Sequence, residues 1–278
     1  MPSAVTQTPA YADVVDLDVY PIHDLDSHAG KALVQGCRQQ LAATGVCTLA
    51  GFIRPEAVAA MVTVANEQTD QAWKSDQTHT IYFEPIDESV PAEHPRAHQV
   101  RSSKNGIAYD QIPINAPVRR LYESDGLTRF IATVLDKPVL YRSADPLDAM
   151  QVTIFNPGDE LGWHFDRSEF SMTVMYQQAG AGGDFVYVPG LRSESDENYE
   201  RVQQVLQGDD TASLRTLPSA PGTLAFFRGQ HALHRVTPIG GDIPRINTVL
   251  TYGERPDMRL NDLTSELFYG RTSTPTEA

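Results

Sequence analysis

The sequence predicts an α+β protein in which helices come first and a β-sandwich or barrel follows. Helix-like segments with capping residues occupy much of the first half of the 278-residue chain. Short segments rich in β-branched and aromatic residues, separated by Gly/Pro turns, fill the second half. This order of elements is typical of an α+β fold. No repeat or low-complexity linker separates independent domains.

The predicted helices of the first half are bounded by recognisable signals. Asp26 or Ser27 caps the first helix, and Gly45 ends it. Pro55 suits the first turn of the second helix, and Asp125 lies just ahead of the third. These helices span residues 26–45, 54–74 and 126–136, and the apolar segment between the first two predicts a strand over 46–52.

The pattern changes after Pro138, where serial strands replace helices. Each strand is short, apolar and bounded by turn residues, and one helical insertion over 198–207 interrupts them. The predicted strands span residues 149–155, 171–177, 183–188, 222–227 and 246–252.

Composition excludes several classes of function. The formal net charge of −14 argues against a nucleic acid or an anionic membrane as partner. Cys37 and Cys47 fit neither a zinc spacing nor a disulfide framework, which favours a reducing compartment. No signal peptide and no long apolar segment is apparent. We expect a cytoplasmic protein that acts on a small molecule.

A set of polar residues on separate predicted strands carries the chemistry. His164 and Asp166 are two apart, so on a strand they share a face. Downstream lie His231 and His234, followed by Arg245. Two imidazoles and one carboxylate can hold ferrous iron with open positions for a 2-oxo acid and dioxygen, and an arginine can anchor the acid's far carboxylate. The alternatives are a polar strand face and a surface ion pair.

His164, Asp166, His234 and Arg245 resemble the signature of iron(II)/2-oxoglutarate-dependent oxygenases. The resemblance covers residues 139–255 and implies a double-stranded β-helix (jelly roll, cupin-like) core with helices packed on its outside. It also implies three parts to the chain. These are a mainly helical part (1–138) that braces the barrel and contributes to the substrate lid, the catalytic core (139–255), and a C-terminal tail partly covering the pocket (256–278).

The chain is similar more narrowly to the free-amino-acid halogenases and their hydroxylating relatives. The halogenases of that group carry Gly or Ala where this sequence has Asp166, and chloride takes the vacated position. With the carboxylate present, hydroxylation is the expected outcome. The "LHRVTP" segment and the spacing to Arg245 favour His234 over His231 as the third ligand.

The resemblance also assigns the remaining candidate residues. The expected iron ligands and catalytic residues are His164, Asp166 and His234. The residues expected to bind 2-oxoglutarate are Arg245, Asn247, Thr237 and Thr153. The residues expected to bind substrate are Arg101, Arg167 and Phe268. Two of these substrate residues have a structural alternative, namely a solvated arginine for Arg101 and core packing for Phe268.

The predicted protein is therefore a dioxygenase that uses iron(II), 2-oxoglutarate and O2. It would hydroxylate an unactivated carbon of a free amino acid or a small carboxylate-bearing derivative, with release of succinate and CO2. Other outcomes of the same site are desaturation, halogenation, or action on a nucleotide or other metabolite. A non-catalytic, metal-stabilised jelly-roll binding or sensor module is the alternative from a different class.

Overall fold

The computed structural model describes residues 9–272, apart from the side chain of Leu263. The end of the predicted C-terminal tail lies outside the described residues. The helices are α1 (His28–Thr44), α2 (Pro55–Glu67), α3 (Pro117–Tyr122), α4 (Asp125–Val134), α5 (Tyr199–Gln207) and α6 (Asp262–Tyr269). The strands are β1 (Val46–Leu49), β2 (Trp73–Thr80), β3 (Gln99–Ile107), β4 (Tyr141–Arg142), β5 (Met150–Phe155), β6 (Glu160–His164), β7 (Ser171–Gln177), β8 (Ala181–Gly182), β9 (Phe185–Val188), β10 (Arg215–Thr216), β11 (Leu224–Phe227), β12 (Leu233–Val236), β13 (Ile239–Gly240), β14 (Arg245–Leu250) and β15 (Tyr252–Gly253).

One large antiparallel sheet dominates the described part of the chain. Its strand order is β1-β11-β7-β14-β5-β3-β6-β12-β9-β10, and β2 pairs with β3. Two small sheets pair β13 with β8 and β15 with β4. Helices and an antiparallel sheet in one chain confirm the predicted α+β class. Over residues 9–272, no helix combines the length and the apolar character needed to cross a bilayer.

The sheet has an apolar face against the helices and a more polar face around the site. Val152 and Ile154 of β5 belong to the main core, whereas Gln151 and Thr153 alternate with them and face the other way. The helices contribute to the same core through residues that include Val34, Cys37 and Leu41 of α1, Met61 of α2, and Leu127, Phe130 and Ile131 of α4. Burial of the apolar face thus fixes which side chains point toward the site.

The predicted helix signals are largely confirmed. Ser27 caps α1 by accepting a hydrogen bond from the Gly30 N–H (3.0 Å), and Gly45 ends the helix with φ 72°. Pro55 is the first residue of α2. The prediction that α2 continues to Lys74 is wrong. Residues 69–71 form a 3₁₀ turn, a tighter geometry that ends the α-helix at Glu67 before β2 begins.

Strands β2 and β3 were not predicted, although both are long. Their sequences are mainly polar, so the apolar alternation that predicts strands is absent. Strand β3 pairs with β5 and β6 and therefore lies within the central sheet. The part predicted as mainly helical supplies three strands of the large sheet, namely β1, β2 and β3.

Candidate metal centre and active site

Three side chains with metal-ligand chemistry meet where β6 and β12 lie side by side. His164, the last residue of β6, lies opposite His234 on β12. Oδ1 of Asp166 is 3.6 Å from Nε2 of His164 and 3.4 Å from Nε2 of His234. One ligand atom from each residue lies within 4.8 Å of the others, so one ion can contact all three. In the described part of the chain, His231 is not a member of this cluster.

Both imidazoles are oriented by backbone carbonyls. Nδ1 of His164 donates to the carbonyl of Gly162 (2.8 Å), and Nδ1 of His234 donates to that of Ala232 (2.9 Å). A proton on each Nδ1 leaves the Nε2 lone pair free for a metal. Burial, reinforced by the neighbouring His234, lowers the pKa of His164 to about 4. This ring is therefore neutral at neutral pH.

The carboxylate of Asp166 completes the set as an anion. Burial acts to raise its pKa, but His234 and His164 outweigh burial and hold the pKa well below its ordinary value. Two imidazole nitrogens and one carboxylate oxygen are the set that binds non-haem iron(II) and leaves coordination positions open. The residues present therefore fit iron(II).

Aromatic rings surround the two imidazoles. Phe185 stacks on His234 with 5.3 Å between ring centres, and Phe227 meets the same ring edge-on at 4.7 Å. Phe83 meets His164 edge-on at 5.4 Å. These rings limit the access of water to the histidines, and a drier site strengthens the electrostatic interactions within it.

Arg245 places a buried positive charge on β14. The residue is 6% exposed, and its Nη1 donates to Oδ1 of Asn247. Burial lowers its pKa to about 10, so the guanidinium stays charged at neutral pH. Within residues 9–272 its Nε has no hydrogen-bond partner. A charge buried in this way is offset when an anion binds beside it.

The two threonines predicted to bind 2-oxoglutarate have different surroundings. Thr153 on β5 lies opposite Asn247 on β14, is 2% exposed, and its Oγ1 has no partner among the described residues. Thr237 instead accepts a hydrogen bond from the N–H of Asp184 (2.9 Å). Thr153 Oγ1 and Arg245 Nε thus lie on adjacent strands, and both are buried polar atoms without a hydrogen-bond partner among the described residues. Buried polar groups are normally paired, so these two atoms fit a bound oxygen-rich anion such as 2-oxoglutarate.

The sequence did not reveal a second polar cluster, which lies between β3, β5 and α6. Nζ of Lys104 donates to Oε1 of Gln151 (2.9 Å) and lies 5.4 Å from the ring centre of Phe268. Asp148, just before β5, accepts a hydrogen bond from the hydroxyl of Tyr269 (2.5 Å). We call these five residues the Lys104 cluster.

The Lys104 cluster holds two opposite charges, and one of them, Lys104, interacts with the triad carboxylate of Asp166. Burial lowers the pKa of Lys104 to about 8, and the carboxylates of Asp148 and Asp166 act against this fall. Burial raises the pKa of Asp148 to about 6. Lys104 is therefore mainly protonated and Asp148 mainly ionised at neutral pH.

The structure does not bring Arg101 into the Lys104 cluster. Arg101 and Lys104 are three apart on β3, so their side chains point to opposite faces. The guanidinium of Arg101 donates to both carboxylate oxygens of Asp76 (3.0 and 2.9 Å) and lies 3.4 Å from Glu160. The alternation of side chains along β3 is the signal that separates Lys104 from Arg101, and it is visible only when residues 99–107 are read as a strand.

Arg167 is exposed and binds the main chain. Its Nη2 donates to the carbonyl of Phe83 (2.8 Å). Phe83 has φ 54°, a left-handed conformation that is rare for an aromatic residue, and its ring stacks on His79 at 4.2 Å. Arg167 thus secures a turn beside His164.

Comparisons with known proteins agree on the fold. An oxidoreductase of the 2OG-Fe(II) oxygenase family from Burkholderia pseudomallei is 15% identical, with 80% of this chain and 91% of that chain covered and a TM-score of 0.50. AviO1 from Streptomyces viridochromogenes Tue57 is 16% identical (82% and 97% covered, TM-score 0.54). The non-heme alpha-ketoglutarate-dependent epimerase SnoN from nogalamycin biosynthesis is 14% identical (80% and 83% covered, TM-score 0.54). No curated protein sequence matches.

The fold and the two-histidine, one-carboxylate cluster together define the class of iron(II)- and 2-oxoglutarate-dependent oxygenases. More narrowly, the chain belongs to the Halogenase D family, whose model matches residues 29–269. The class, the jelly-roll core and the two cofactors predicted from the sequence are thereby confirmed.

Proposed function

We propose that this enzyme hydroxylates a free amino acid or a small derivative that carries a carboxylate, in the cytoplasm. The observation that carries the proposal is the Lys104 cluster, in which the cation of Lys104 interacts both with the triad carboxylate of Asp166 and with the anion of Asp148. A free amino acid carries the complementary pair, a carboxylate and an ammonium group. Both cysteines are buried and free, as expected in a reducing compartment.

Iron(II) would be held by His164, Asp166 and His234. Arg245 would bind the distal carboxylate of 2-oxoglutarate, and the hydroxyl of Thr153 would add a hydrogen bond. When bound, the metal would supply the activation of O2, by which 2-oxoglutarate is oxidised to succinate and CO2 and a C–H bond of the substrate is hydroxylated. The protein's part is to orient substrate and exclude water.

Lys104 and Asp148 would orient the substrate. The ammonium of Lys104 would bind the carboxylate, and the carboxylate of Asp148 would bind the amino group. Gln151 and Tyr269 hold these two charged groups through the hydrogen bonds described above. Lys104 would thus bind the substrate carboxylate in place of Arg101, the residue expected from the resemblance, because the guanidinium of Arg101 is paired with Asp76.

The tail would close the pocket through α6. Phe268 lies beneath the ammonium of Lys104, and Tyr269 contacts Asp148. The last turn of α6 thus packs on both charged groups. The helices before residue 138 would brace the barrel through the main core.

Asp166 favours hydroxylation although the family is named for halogenation. A halide can join the triad only where the carboxylate is missing. In this chain the carboxylate is present and lies against both imidazoles. We therefore propose oxygen insertion as the reaction.

The proposal is tested by succinate release from the iron(II)-loaded protein across a panel of free amino acids. We expect at least one amino acid to stimulate release. Lys104→Met should raise the KM of that substrate about tenfold to a hundredfold, since a hydrogen bond to a charged group contributes about 1.5–3 kcal/mol. Arg101→Met is the matched control and should leave KM unchanged. Turnover that no amino acid stimulates would contradict the substrate assignment.

A further inference from the structure

We infer that Ser171 is a positioning residue that commits one oxygen of Asp166 to the protein and leaves the other for the metal. The inference rests on the proposed function, because it concerns the same iron site. Ser171 is the first residue of β7 and was not a candidate in the sequence. Its Oγ donates to Oδ2 of Asp166 at 2.6 Å.

The two oxygens of Asp166 have different surroundings. Oδ1 lies 3.4 and 3.6 Å from the two imidazole nitrogens. Oδ2 faces Ser171, and it also lies against the backbone of Gly229, where an added Cβ would be only 1.8 Å away. The N–H of Asp166 donates to the carbonyl of Gly229 (3.1 Å). The carboxylate is thus fixed from two sides with only Oδ1 directed at the histidines.

The sheet holds this arrangement in place. Ser171 pairs with Phe227 of β11, and Phe227 in turn packs its ring on His234. Gly229 lies two residues after the end of β11. Ser171, Gly229 and one imidazole are therefore positioned by the same pair of strands, so the orientation of the carboxylate is built into the sheet.

Removing the hydroxyl should loosen the metal site without affecting the fold. In Ser171→Ala, Oδ2 loses its donor and both oxygens are free to turn. Groups that orient a metal ligand typically contribute about tenfold to a hundredfold in metal affinity. We expect cobalt(II), as a spectroscopic probe for iron(II), to bind Ser171→Ala about tenfold more weakly, with an altered visible absorption spectrum.

The chain offers a matched pair of controls. Ser171→Thr retains the hydroxyl and should retain both the affinity and the spectrum. Thr173→Ala removes a hydroxyl from the next residue on the same face of β7, which makes no hydrogen bond to Asp166 among the described residues, and should behave as wild type. The thermal unfolding temperature of each metal-free variant verifies that the fold is unchanged.

The outcomes separate this inference from the proposed function. Wild-type protein that binds no cobalt(II) or iron(II) would overturn the proposed function. If wild-type protein binds the metal and Ser171→Ala matches Thr173→Ala in affinity and spectrum, the role of Ser171 is overturned while the proposed function stands. A Ser171→Thr variant as weak as Ser171→Ala would also overturn it, because the loss would then not be due to the hydroxyl.

Discussion

At the scale of single residues, the proposed reaction depends on Asp166. Its carboxylate is ionised and directed at both imidazoles, and we propose that it occupies the position that a halide would need. Asp166→Ala should abolish hydroxylation, because the third ligand is lost. The measurement is product formation under saturating iron(II) and 2-oxoglutarate. Full hydroxylation by that variant would exclude Asp166 as a ligand.

If Asp148 and Lys104 bind the substrate as we propose, their pKa values set the pH dependence of catalysis. Asp148, with a pKa of about 6, must be ionised to hold an ammonium group. Lys104, with a pKa of about 8, must be protonated to hold a carboxylate. The value of kcat/KM should therefore fall as pH drops below about 6 and as it rises above about 8.

A substitution identifies the group responsible for the alkaline limb of this profile. The guanidinium of an arginine stays charged throughout this range. Lys104→Arg should move the alkaline limb to higher pH and leave the acid limb in place. An alkaline limb that stays where it was would show that a group other than Lys104 titrates.

At the scale of elements, the C-terminal helix α6 packs against the two charged residues to which we assign the substrate. The hydroxyl of Tyr269 holds the carboxylate of Asp148, and Phe268 packs beneath Lys104. Tyr269→Phe should raise KM about tenfold with little change in kcat, because a hydrogen bond to a charged group is lost while the iron ligands are untouched. Steady-state kinetics check this, and an unchanged KM would place α6 outside substrate binding.

The sequence pattern predicts some strands of the sheet and not others. Strands such as β5 and β7 are predictable because apolar and β-branched residues fill them. Strands β2 and β3 are not, since their polar residues face other polar groups within the protein. Asp159, for example, is 3% exposed and accepts hydrogen bonds from Ser103 and Asn105 of β3. Without β3 the sequence does not show that Arg101 and Lys104 point to opposite faces of one strand.

The metal ligands were predictable for a different reason. His164 ends β6, Asp166 follows it by two residues, His234 lies on β12 and Arg245 begins β14. Their residue types and their order along the chain match one chemistry, so they could be chosen without knowledge of the strand bounds. The residues that we propose for substrate binding come instead from β3, the segment before β5, and α6. No spacing rule relates elements so far apart in the chain, and only the folded sheet brings them together.

At the scale of the whole molecule, the two faces of the sheet differ: one packs against the helices, and the other carries polar residues of the site. Apolar side chains of the sheet pack on α1, α2 and α4, while Gln151 and Thr153 of β5 and Arg245 and Asn247 of β14 alternate with them and face the other way. The family is named for halogenation, whereas this chain keeps the carboxylate of Asp166. We therefore propose that this scaffold inserts oxygen.

The most direct test is the mass of the product formed from a stimulating amino acid by wild-type protein in air, with iron(II), 2-oxoglutarate and excess chloride present. We predict a product that gains one oxygen atom, in step with succinate, and no chlorinated product. A chlorinated amino acid as the main product, or succinate without any modified amino acid, would contradict that claim.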